Sequence, residues 1–322
     1  MRVVITGGCG FLGRRLAHRL LARDDVAELT LFDNAAPALP LPEDRRLRLV
    51  TGDIADRDTV RRLVAAGTDA VFHLAAVVSA AAEADTDLGY RVNLDGTRAV
   101  LDACRALGTA PRLVFASSLA VYGGALPEVV GEDTPLAPQS SYGTQKAIGE
   151  LLINDYTRKG FIDGRALRLP TVVVRPGRPN RAASTFASSM IRDPLSGHEA
   201  VCPVGPETVM ALASPRRIAA ALIHALDLPG EALGMNRSLQ LPGFSVSVAE
   251  MAEAVRRAGG EAAYARIRWR RDPAIEAIIS SWPRALAASR AEALGFAAEG
   301  GIDEAVAAFI EDDLELQKGL VG

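Results

Sequence analysis

Short apolar runs rich in β-branched residues alternate with longer helical patterns through the first half of this chain. Runs that are apolar on both faces are typical of parallel strands covered by helices. The alternation therefore predicts βαβ units that build an α/β fold with a doubly wound parallel sheet. The predicted strands are residues 3–5, 29–32, 46–50, 70–74, 113–116 and 166–174.

The regular alternation ends near residue 173, where residues 175–181 are rich in proline and arginine. Beyond this point, loops rich in proline and glycine separate helical patterns at 215–226, 248–258, 274–280 and 302–316. We therefore expect a first domain of residues 1–172 and a smaller, mostly helical C-terminal lobe of residues 173–322 that holds the substrate. A helix at about 214–227 is expected to pack back on the first domain.

Charge and cysteine usage narrow the class of partner. The formal net charge of -3 gives no basic field for nucleic acid or a membrane surface, so a small-molecule partner is expected. Cys9, Cys104 and Cys202 lack a CxxC spacing, which predicts neither a disulfide framework nor a metal site.

The chain shows no signal-peptide pattern and no apolar run of about 18 residues. We expect a soluble cytoplasmic protein.

A glycine-rich loop joins the first predicted strand to a helical run at residues 14–21. Glycines permit a tight turn and a close backbone approach, so a pyrophosphate binds the amide groups at the N-terminus of the helix. The alternative is an ordinary turn between a strand and a helix. The residues that this pattern assigns to dinucleotide binding are Gly7, Gly10, Phe11, Leu12 and Gly13.

Asp33 lies at the end of the second predicted strand, twenty positions after Gly13. A carboxylate there accepts hydrogen bonds from the adenosine ribose hydroxyls and repels the 2′-phosphate of NADP. No lysine or arginine follows until Arg45, so the sequence favours NAD over NADP. The alternative for Asp33 is a solvated acid that opens a turn.

Tyr142 and Lys146 stand four residues apart in a predicted helix, so both lie on one face. A free tyrosine has a pKa of about 10, and a neighbouring cation lowers that pKa because it favours the phenolate. This spacing is common in helices and alone carries no function. Ser118, however, lies where the fifth predicted strand ends, and open α/β sheets bind their ligands at that edge.

Residues 115–123 (Phe-Ala-Ser-Ser-Leu-Ala-Val-Tyr-Gly), followed by Ser140-Ser141-Tyr142 and Lys146, resemble the extended short-chain dehydrogenases/reductases of the NAD-dependent epimerase/dehydratase superfamily. The resemblance covers nearly the whole chain and implies a Rossmann sheet. It also implies contacts with NAD at Asp53 and Ile54, at Leu74, Ala75 and Ala76, at Asn93, and at Pro170, Thr171 and Val172.

The resemblance assigns roles to the central residues. Tyr142 is the expected acid/base and Lys146 the residue that holds the nicotinamide ribose. Ser118 is expected to hydrogen-bond the substrate oxygen, and Asn93 to assist a proton relay. A homodimer through helices at about 93–107 and 142–156 is also implied.

The substrate class is predicted from two segments. Sugar-nucleotide members of the family carry a Val-His-Val-x-Asp-like segment, and residues 209–216 (Val-Met-Ala-Leu-Ala-Ser-Pro-Arg) depart from it. Residues 168–185 resemble instead the subgroup that oxidises D-erythronate, a four-carbon sugar acid. Arg178, Asn180 and Thr185 are the predicted substrate residues besides Ser118 and Tyr142, because guanidinium groups bind carboxylates and the polar side chains bind hydroxyls. The pattern leaves open which arginine binds the carboxylate.

Two alternatives remain at this point. One is a nucleoside-diphosphate-sugar 4-epimerase or dehydratase that recycles tightly bound NAD, and the other is a non-catalytic dinucleotide sensor. The presence of Ser118, Tyr142 and Lys146 together argues against a sensor, which has no need for all three. His73, inside an apolar strand, is predicted to be a core histidine bonded to backbone rather than a catalytic group.

Overall fold

The computed structural model describes residues 1–177 and 184–321. The strands are β1 Arg2–Thr6, β2 Glu28–Asp33, β3 Leu47–Thr51, β4 Ala70–His73, β5 Arg112–Ser118, β6 Asp163–Leu169, β7 Thr171–Val172, β8 Ala200–Cys202, β9 Val209–Ala213, β10 Ser238–Gln240, β11 Phe244–Ser247 and β12 Ile267–Trp269.

The helices of the same ranges are α1 Phe11–Leu21, α2 Arg57–Leu63, α3 Ser79–Ala84, α4 Thr86–Gly89, α5 Gly96–Leu107, α6 Ser141–Arg158, α7 Thr185–Leu195, α8 Pro215–Asp227, α9 Val248–Tyr264, α10 Pro273–Ser280, α11 Ser289–Ala293, α12 Ile302–Asp312 and α13 Leu314–Val321. Tyr90–Asp95 forms a π-helical segment that runs into α5, and α9 is kinked at Gly260. None of the described helices is long and apolar enough to span a membrane.

The central sheet has seven strands in the order β10-β6-β5-β4-β1-β2-β3, and every neighbouring pair is parallel. The inner strands are apolar on both faces and buried, as helices on both sides of a parallel sheet require. The predicted α/β, doubly wound class is confirmed. Thr6 lies beside Phe32 of β2 and His73 of β4, so these strands end at one edge of the sheet.

The predicted strand at 166–174 is wrong in one respect. The structure divides it at Pro170, which has no backbone N–H to donate to a sheet. β6 ends at Leu169 and belongs to the central sheet, whereas β7 pairs with β9 in a separate sheet.

The chain divides into two compact units that interleave along the sequence. The first unit contains residues 1–121, 138–169 and 219–240, and therefore the whole central sheet. The second contains residues 122–137, 170–218 and 241–322. The domain boundary at residue 172 stays a prediction, but residues 219–227 of α8 do belong to the first unit.

The second unit combines helices with two small sheets, ordered β11-β9-β7 and β12-β8. Its core includes Met190, Leu212, Met251 and Phe309, all buried. The sequence patterns missed α7, whose sequence contains serines and Pro194. They also joined α12 and α13 into one helix, which the structure separates at Asp313.

Candidate active site

The glycine-rich loop follows β1 directly and opens α1. Gly7 has a φ of +69°, and a Cβ on this residue would lie 2.7 Å from the Ala75 backbone nitrogen. Gly10 precedes the helix and has no side chain to cap its N-terminus, and the first turn of α1 contains no acidic residue. The N-terminus of α1 therefore carries neither a side-chain cap from Gly10 nor an acidic side chain in its first turn, which suits it to bind an anion such as a phosphate.

Gly13 lies in the first turn of α1 and is buried against this loop. A Cβ there would stand 2.6 Å from the Cα of Gly8 and from the carbonyl oxygen of Gly7, a separation that real Cβ atoms do not adopt. Only glycine therefore allows helix and loop to pack this closely.

Asp33 is the last residue of β2 and lies beside the loop. Its carboxylate accepts hydrogen bonds from the backbone N–H groups of Cys9, at 3.0 Å, and Asn34, at 2.9 Å. The side chain is half-buried, so the loop orients it. Burial, with Asp33 as the second cause, raises the pKa of the Cys9 thiol to about 11, so Cys9 is not a thiolate at neutral pH.

The side chain of His73 links β1 to α5 through hydrogen bonds with two hydroxyl groups. The predicted hydrogen bonds to backbone are therefore wrong. Its Nδ1 lies 2.7 Å from Thr6 Oγ1 and its Nε2 lies 2.9 Å from Thr97 Oγ1. Since the Thr97 hydroxyl donates its proton to the carbonyl of Asn93, His73 Nε2 donates and Nδ1 accepts. Burial lowers the pKa of His73 to about 3, so the ring is neutral and structural.

The side chain of Asn93 tethers the loop after β4 to α6. Its Oδ1 accepts from the N–H of Val77 at 2.7 Å, and its Nδ2 donates to the carbonyl of Val77 and to Gln145 Oε1. Asn93 lies in the π-helical segment and is buried. These bonds position the loop beside Leu74, Ala75 and Ala76; the predicted proton relay stays a prediction.

Asp53 and Ile54, which the resemblance assigns to NAD binding, follow β3, an edge strand of the central sheet. Asp53 is exposed and accepts from the N–H of Ala55 and from Arg91 Nη1, and these contacts lower its pKa. Ile54 is buried beneath Gly96, where a Cβ would stand 2.8 Å from Ile54 Cγ2.

α6 carries the predicted acid/base and its partner. Ser140 caps this helix by accepting from the N–H of Gly143 at 3.1 Å, which explains the serine two positions before the tyrosine. Tyr142 is half-buried, and Lys146 Nζ lies 5.7 Å from the centre of its ring. The structure therefore places the ammonium and the phenol ring together, as the four-residue spacing predicts.

Lys146 is buried and donates from Nζ to the carbonyl oxygen of Ala116 at 2.7 Å. Burial lowers the pKa of Lys146 to about 7, while the charge of Glu150 acts in the opposite direction. Ser118, two residues after Ala116, ends β5 and its hydroxyl accepts from the N–H of Ala120. Ser118, Tyr142 and Lys146 thus belong to one corner of the first unit, formed by the end of β5 and the start of α6.

The sequence patterns missed Glu150, Arg168 and Gln145 at this corner. Glu150 stands four residues after Lys146 on α6 and is buried, as is Arg168 at the end of β6. The available signal was the spacing of Glu150 from Lys146. Acidic residues in helices usually face water, so this spacing alone does not predict a buried carboxylate.

The remaining predicted residues lie in the second unit or outside the described residues. Thr171 and Val172 pair with β9, and Pro170 precedes them. Thr185 begins α7, and its hydroxyl lies 3.5 Å from Arg175 Nη2. Arg178 and Asn180 lie outside the described residues. Within the segment 209–216, Ser214 caps α8 by accepting from the N–H of Arg217, and its own N–H donates to the carboxylate of buried Glu299.

The first unit fits NAD by its own geometry. The glycine loop, which has no room for a Cβ, and the N-terminus of α1, which has no side-chain cap, fit a pyrophosphate. The Asp33 carboxylate at the end of β2 fits the hydroxyls of a ribose.

Comparison with known proteins agrees with this geometry. The model of the NAD dependent epimerase/dehydratase family matches residues 3–228. D-erythronate dehydrogenase of Cupriavidus necator is 54% identical over 97% of this chain and 98% of its own length. D-erythronate dehydrogenase of Haemophilus influenzae is 46% identical over 98% of this chain and all of its own length.

Among solved structures, the nucleoside-diphosphate-sugar epimerase from Agrobacterium tumefaciens superposes with a TM-score of 0.93 at 42% identity, covering 98% of this chain and 95% of that one. L-Threonine 3-dehydrogenase from Trypanosoma brucei gives a TM-score of 0.88 at 25% identity, covering 99% and 98%. The family predicted from the motifs is confirmed. The chain belongs to the NAD dependent epimerase/dehydratase family, with NAD as its cofactor.

Proposed function

We propose that this protein oxidises D-erythronate, or a close four-carbon analogue, at its C2 hydroxyl to 2-keto-D-erythronate and produces NADH. The observation that carries the proposal is the 54% identity over essentially the full length of a D-erythronate dehydrogenase. The corner formed by Ser118, Tyr142 and Lys146 supports it, because it holds the groups that an alcohol oxidation requires.

In this proposal Tyr142 acts as a phenolate that takes the proton of the substrate hydroxyl. Ser118 hydrogen-bonds the same oxygen and so fixes the alcohol beside the base. The positive charge of Lys146 stabilises the phenolate, and its ammonium holds the nicotinamide ribose. NAD, when bound, accepts the hydride that leaves the carbon.

The nucleotide is proposed to bind along the loop and the strand ends of the sheet. The residues proposed to hold it are Gly7, Gly10, Phe11, Leu12, Gly13, Asp33, Asp53, Ile54, Leu74, Ala75, Ala76, Asn93, Tyr142, Lys146, Pro170, Thr171 and Val172.

Sugar-acid recognition is proposed to involve Thr185, Arg178 and Asn180 as well as Ser118 and Tyr142. A carboxylate requires a guanidinium partner, and the hydroxyls require neutral polar side chains. Arg175 is a further candidate for the arginine that binds the carboxylate, because its guanidinium reaches the hydroxyl of Thr185.

The test is NADH formation by the purified protein with D-erythronate, L-threonate, glycerate and UDP-sugars, each with NAD and with NADP. The proposal expects NADH with a four-carbon sugar acid and none with a UDP-sugar. No NADH with any acid, together with NAD released on denaturation, would instead support a 4-epimerase or dehydratase. That second candidate is kept because of the similarity to the Agrobacterium nucleoside-diphosphate-sugar epimerase.

Replacement of Asp33 tests the preference for NAD. In Asp33→Ser we expect the Kd for NAD to rise about ten- to hundredfold, because hydrogen bonds to a charged group are worth about 1.5–3 kcal/mol. NADP should bind better than in the wild type, since the repulsion of its 2′-phosphate is removed. Calorimetric titration with both nucleotides measures this. The exposed Asp24→Asn serves as the control, and an unchanged NAD affinity in Asp33→Ser would refute the ribose contact.

We also propose a homodimer that uses α5 and α6. Leu151 on α6 is 65% exposed, which is unusual for a leucine and suits an apolar contact. Leu151→Glu should raise the dissociation constant of the dimer by at least about tenfold, since a charge would be buried. Light scattering across a concentration series measures this. Met235→Glu is the matched control at a residue that is 86% exposed and lies outside both helices; a monomeric wild type would remove the proposal.

A cytoplasmic location is proposed on chemical grounds. Cys9, Cys104 and Cys202 are all free thiols in the structure, and burial raises the pKa of each. Unpaired cysteines are typical of proteins in a reducing compartment. Fractionation of the source cells, with detection of this protein, tests the location.

A further inference from the structure

Side chains of α6 form hydrogen bonds with two consecutive residues at the end of β5. Tyr142, Lys146 and Glu150 follow one another at four-residue intervals, so they share one face of this helix. Lys146 Nζ donates to the carbonyl of Ala116, and the hydroxyl of Ser117 donates to Glu150 Oε1 at 2.5 Å. The residue that follows Ala116 and Ser117 is Ser118. The helix that carries the proposed base therefore also fixes the backbone that carries the proposed substrate-aligning serine.

Glu150 is a buried acidic residue that pairs with a buried arginine. It is 2% exposed and Arg168 is 6% exposed. The Arg168 guanidinium donates to both carboxylate oxygens, from Nε at 3.0 and 3.1 Å and from Nη2 at 2.7 Å. Such a buried pair costs desolvation energy and contributes little stability compared with well-packed apolar residues. Stability therefore does not explain why Glu150 and Arg168 are buried here, and we look for a function of the Glu150 charge.

We propose that Glu150, held in place by Arg168, is a positioning residue that keeps the Lys146 ammonium charged and that fixes the backbone at Ser118. The catalytic consequence rests on the proposed roles of Lys146 and Ser118. The electrostatic part concerns this chain alone and is measurable without substrate.

Among the charged and titratable groups around Lys146, Glu150 is the anion that stabilises its ammonium form. Tyr142 lies on the same helix, and Arg168 of β6 is bound to Glu150. His73 of β4 is neutral, because burial lowers its pKa to about 3. Burial lowers the pKa of Lys146 to about 7, and Glu150 is the group that opposes this shift. Without Glu150, the ammonium would be lost at a lower pH.

The composition of the chain makes the charge of Lys146 directly observable. The sequence contains three lysines, Lys146, Lys159 and Lys318, and the last two are exposed. Protein labelled with 13C at the lysine ε-carbon therefore gives three side-chain NMR signals. Lys159→Arg and Lys318→Arg assign two of them, and the third reports the ionisation of Lys146 in the full-length protein.

The test compares the pH titration of this signal in the wild type, in Glu150→Gln and in Glu150→Gln/Arg168→Gln. The double variant is included because a single replacement removes the carboxylate that pairs with Arg168, whereas removal of both charges leaves two side chains that can hydrogen-bond each other. We expect the pKa of Lys146 to fall by about half a unit or more in Glu150→Gln, since an opposite charge nearby favours the ammonium. In the double variant it should fall by less, because loss of the Arg168 cation offsets part of the loss of the Glu150 anion.

The control is Asp163→Asn, which removes the partner of Arg165, a fully buried arginine at the other end of β6. It should leave the Lys146 titration unchanged although it also disrupts a buried ion pair. An unchanged Lys146 pKa in both Glu150 variants would overturn the proposal, and so would an equal shift in Asp163→Asn.

Turnover provides an independent readout of the same variants. If a sugar acid is the substrate, the pH at which kcat/KM declines on the alkaline side should move down together with the Lys146 titration. If no sugar acid is oxidised, the proposed function fails while the NMR result still decides the role of Glu150.

Discussion

Tyr142→Phe should reduce kcat for sugar-acid oxidation by about 10²–10⁴-fold, the usual contribution of a positioned acid/base group. Phenylalanine keeps the ring that packs 5.7 Å from Lys146 Nζ but lacks the hydroxyl that takes the substrate proton. The Kd for NAD should rise only modestly, because Tyr142 is one of many proposed NAD contacts and the phosphate loop and Asp33 are unchanged. Steady-state NADH formation and calorimetric NAD titration measure the two effects separately.

Tyr156→Phe is the matched control for this experiment. Tyr156 lies on the same helix, and its hydroxyl donates to Asp102 Oδ1 at 2.6 Å. Its loss removes one hydrogen bond, worth about 1 kcal/mol, and no catalytic group. Tyr142→Phe with nearly normal turnover would exclude Tyr142 as the acid/base. A loss of turnover that only follows a matching loss of NAD binding would show that Tyr142 contributes through cofactor binding alone.

Features fixed by neighbouring residues were predictable from the sequence. The parallel strands were recognised because they are apolar on both faces, and the phosphate loop because its glycines lie between a strand and a helix. The proximity of Tyr142 and Lys146 follows from a spacing of four within one helix. Each of these predictions needs only a few consecutive residues.

Features fixed by residues distant in sequence were not predictable. β7 has two residues and belongs to its sheet only through β9, about forty positions later, and single-sequence patterns contain no such pairing. In the sequence, Glu150 and Arg168 cannot be distinguished from surface charges, because their pairing depends on the packing of α6 against β6. Similarly, the two hydroxyls that bind His73 come from β1 and α5, so its partners could not be read from its own strand.

Gly13→Ala should abolish most NAD binding although it adds a single methyl group. The new Cβ would stand 2.6 Å from the Cα of Gly8 and from the oxygen of Gly7, and these are backbone atoms that move only if the loop moves. Overpacking of this kind costs about 1–3 kcal/mol. Displacement of the loop carries the phosphate-binding amides with it, so we expect the Kd for NAD to rise at least about tenfold, equivalent to about 1.4 kcal/mol.

Gly319→Ala provides the comparison, because Gly319 also lies in a helix, α13, and a Cβ there meets no heavy atom within 4 Å. Alanine favours helix over glycine by up to about 1 kcal/mol, so this variant should unfold at the same or a higher temperature than the wild type and bind NAD normally. Thermal unfolding and calorimetric NAD titration of both variants separate a general glycine effect from a loop effect. Normal NAD affinity in Gly13→Ala would mean that the loop after β1 does not hold the pyrophosphate, because the close packing that only glycine allows would then be irrelevant to binding.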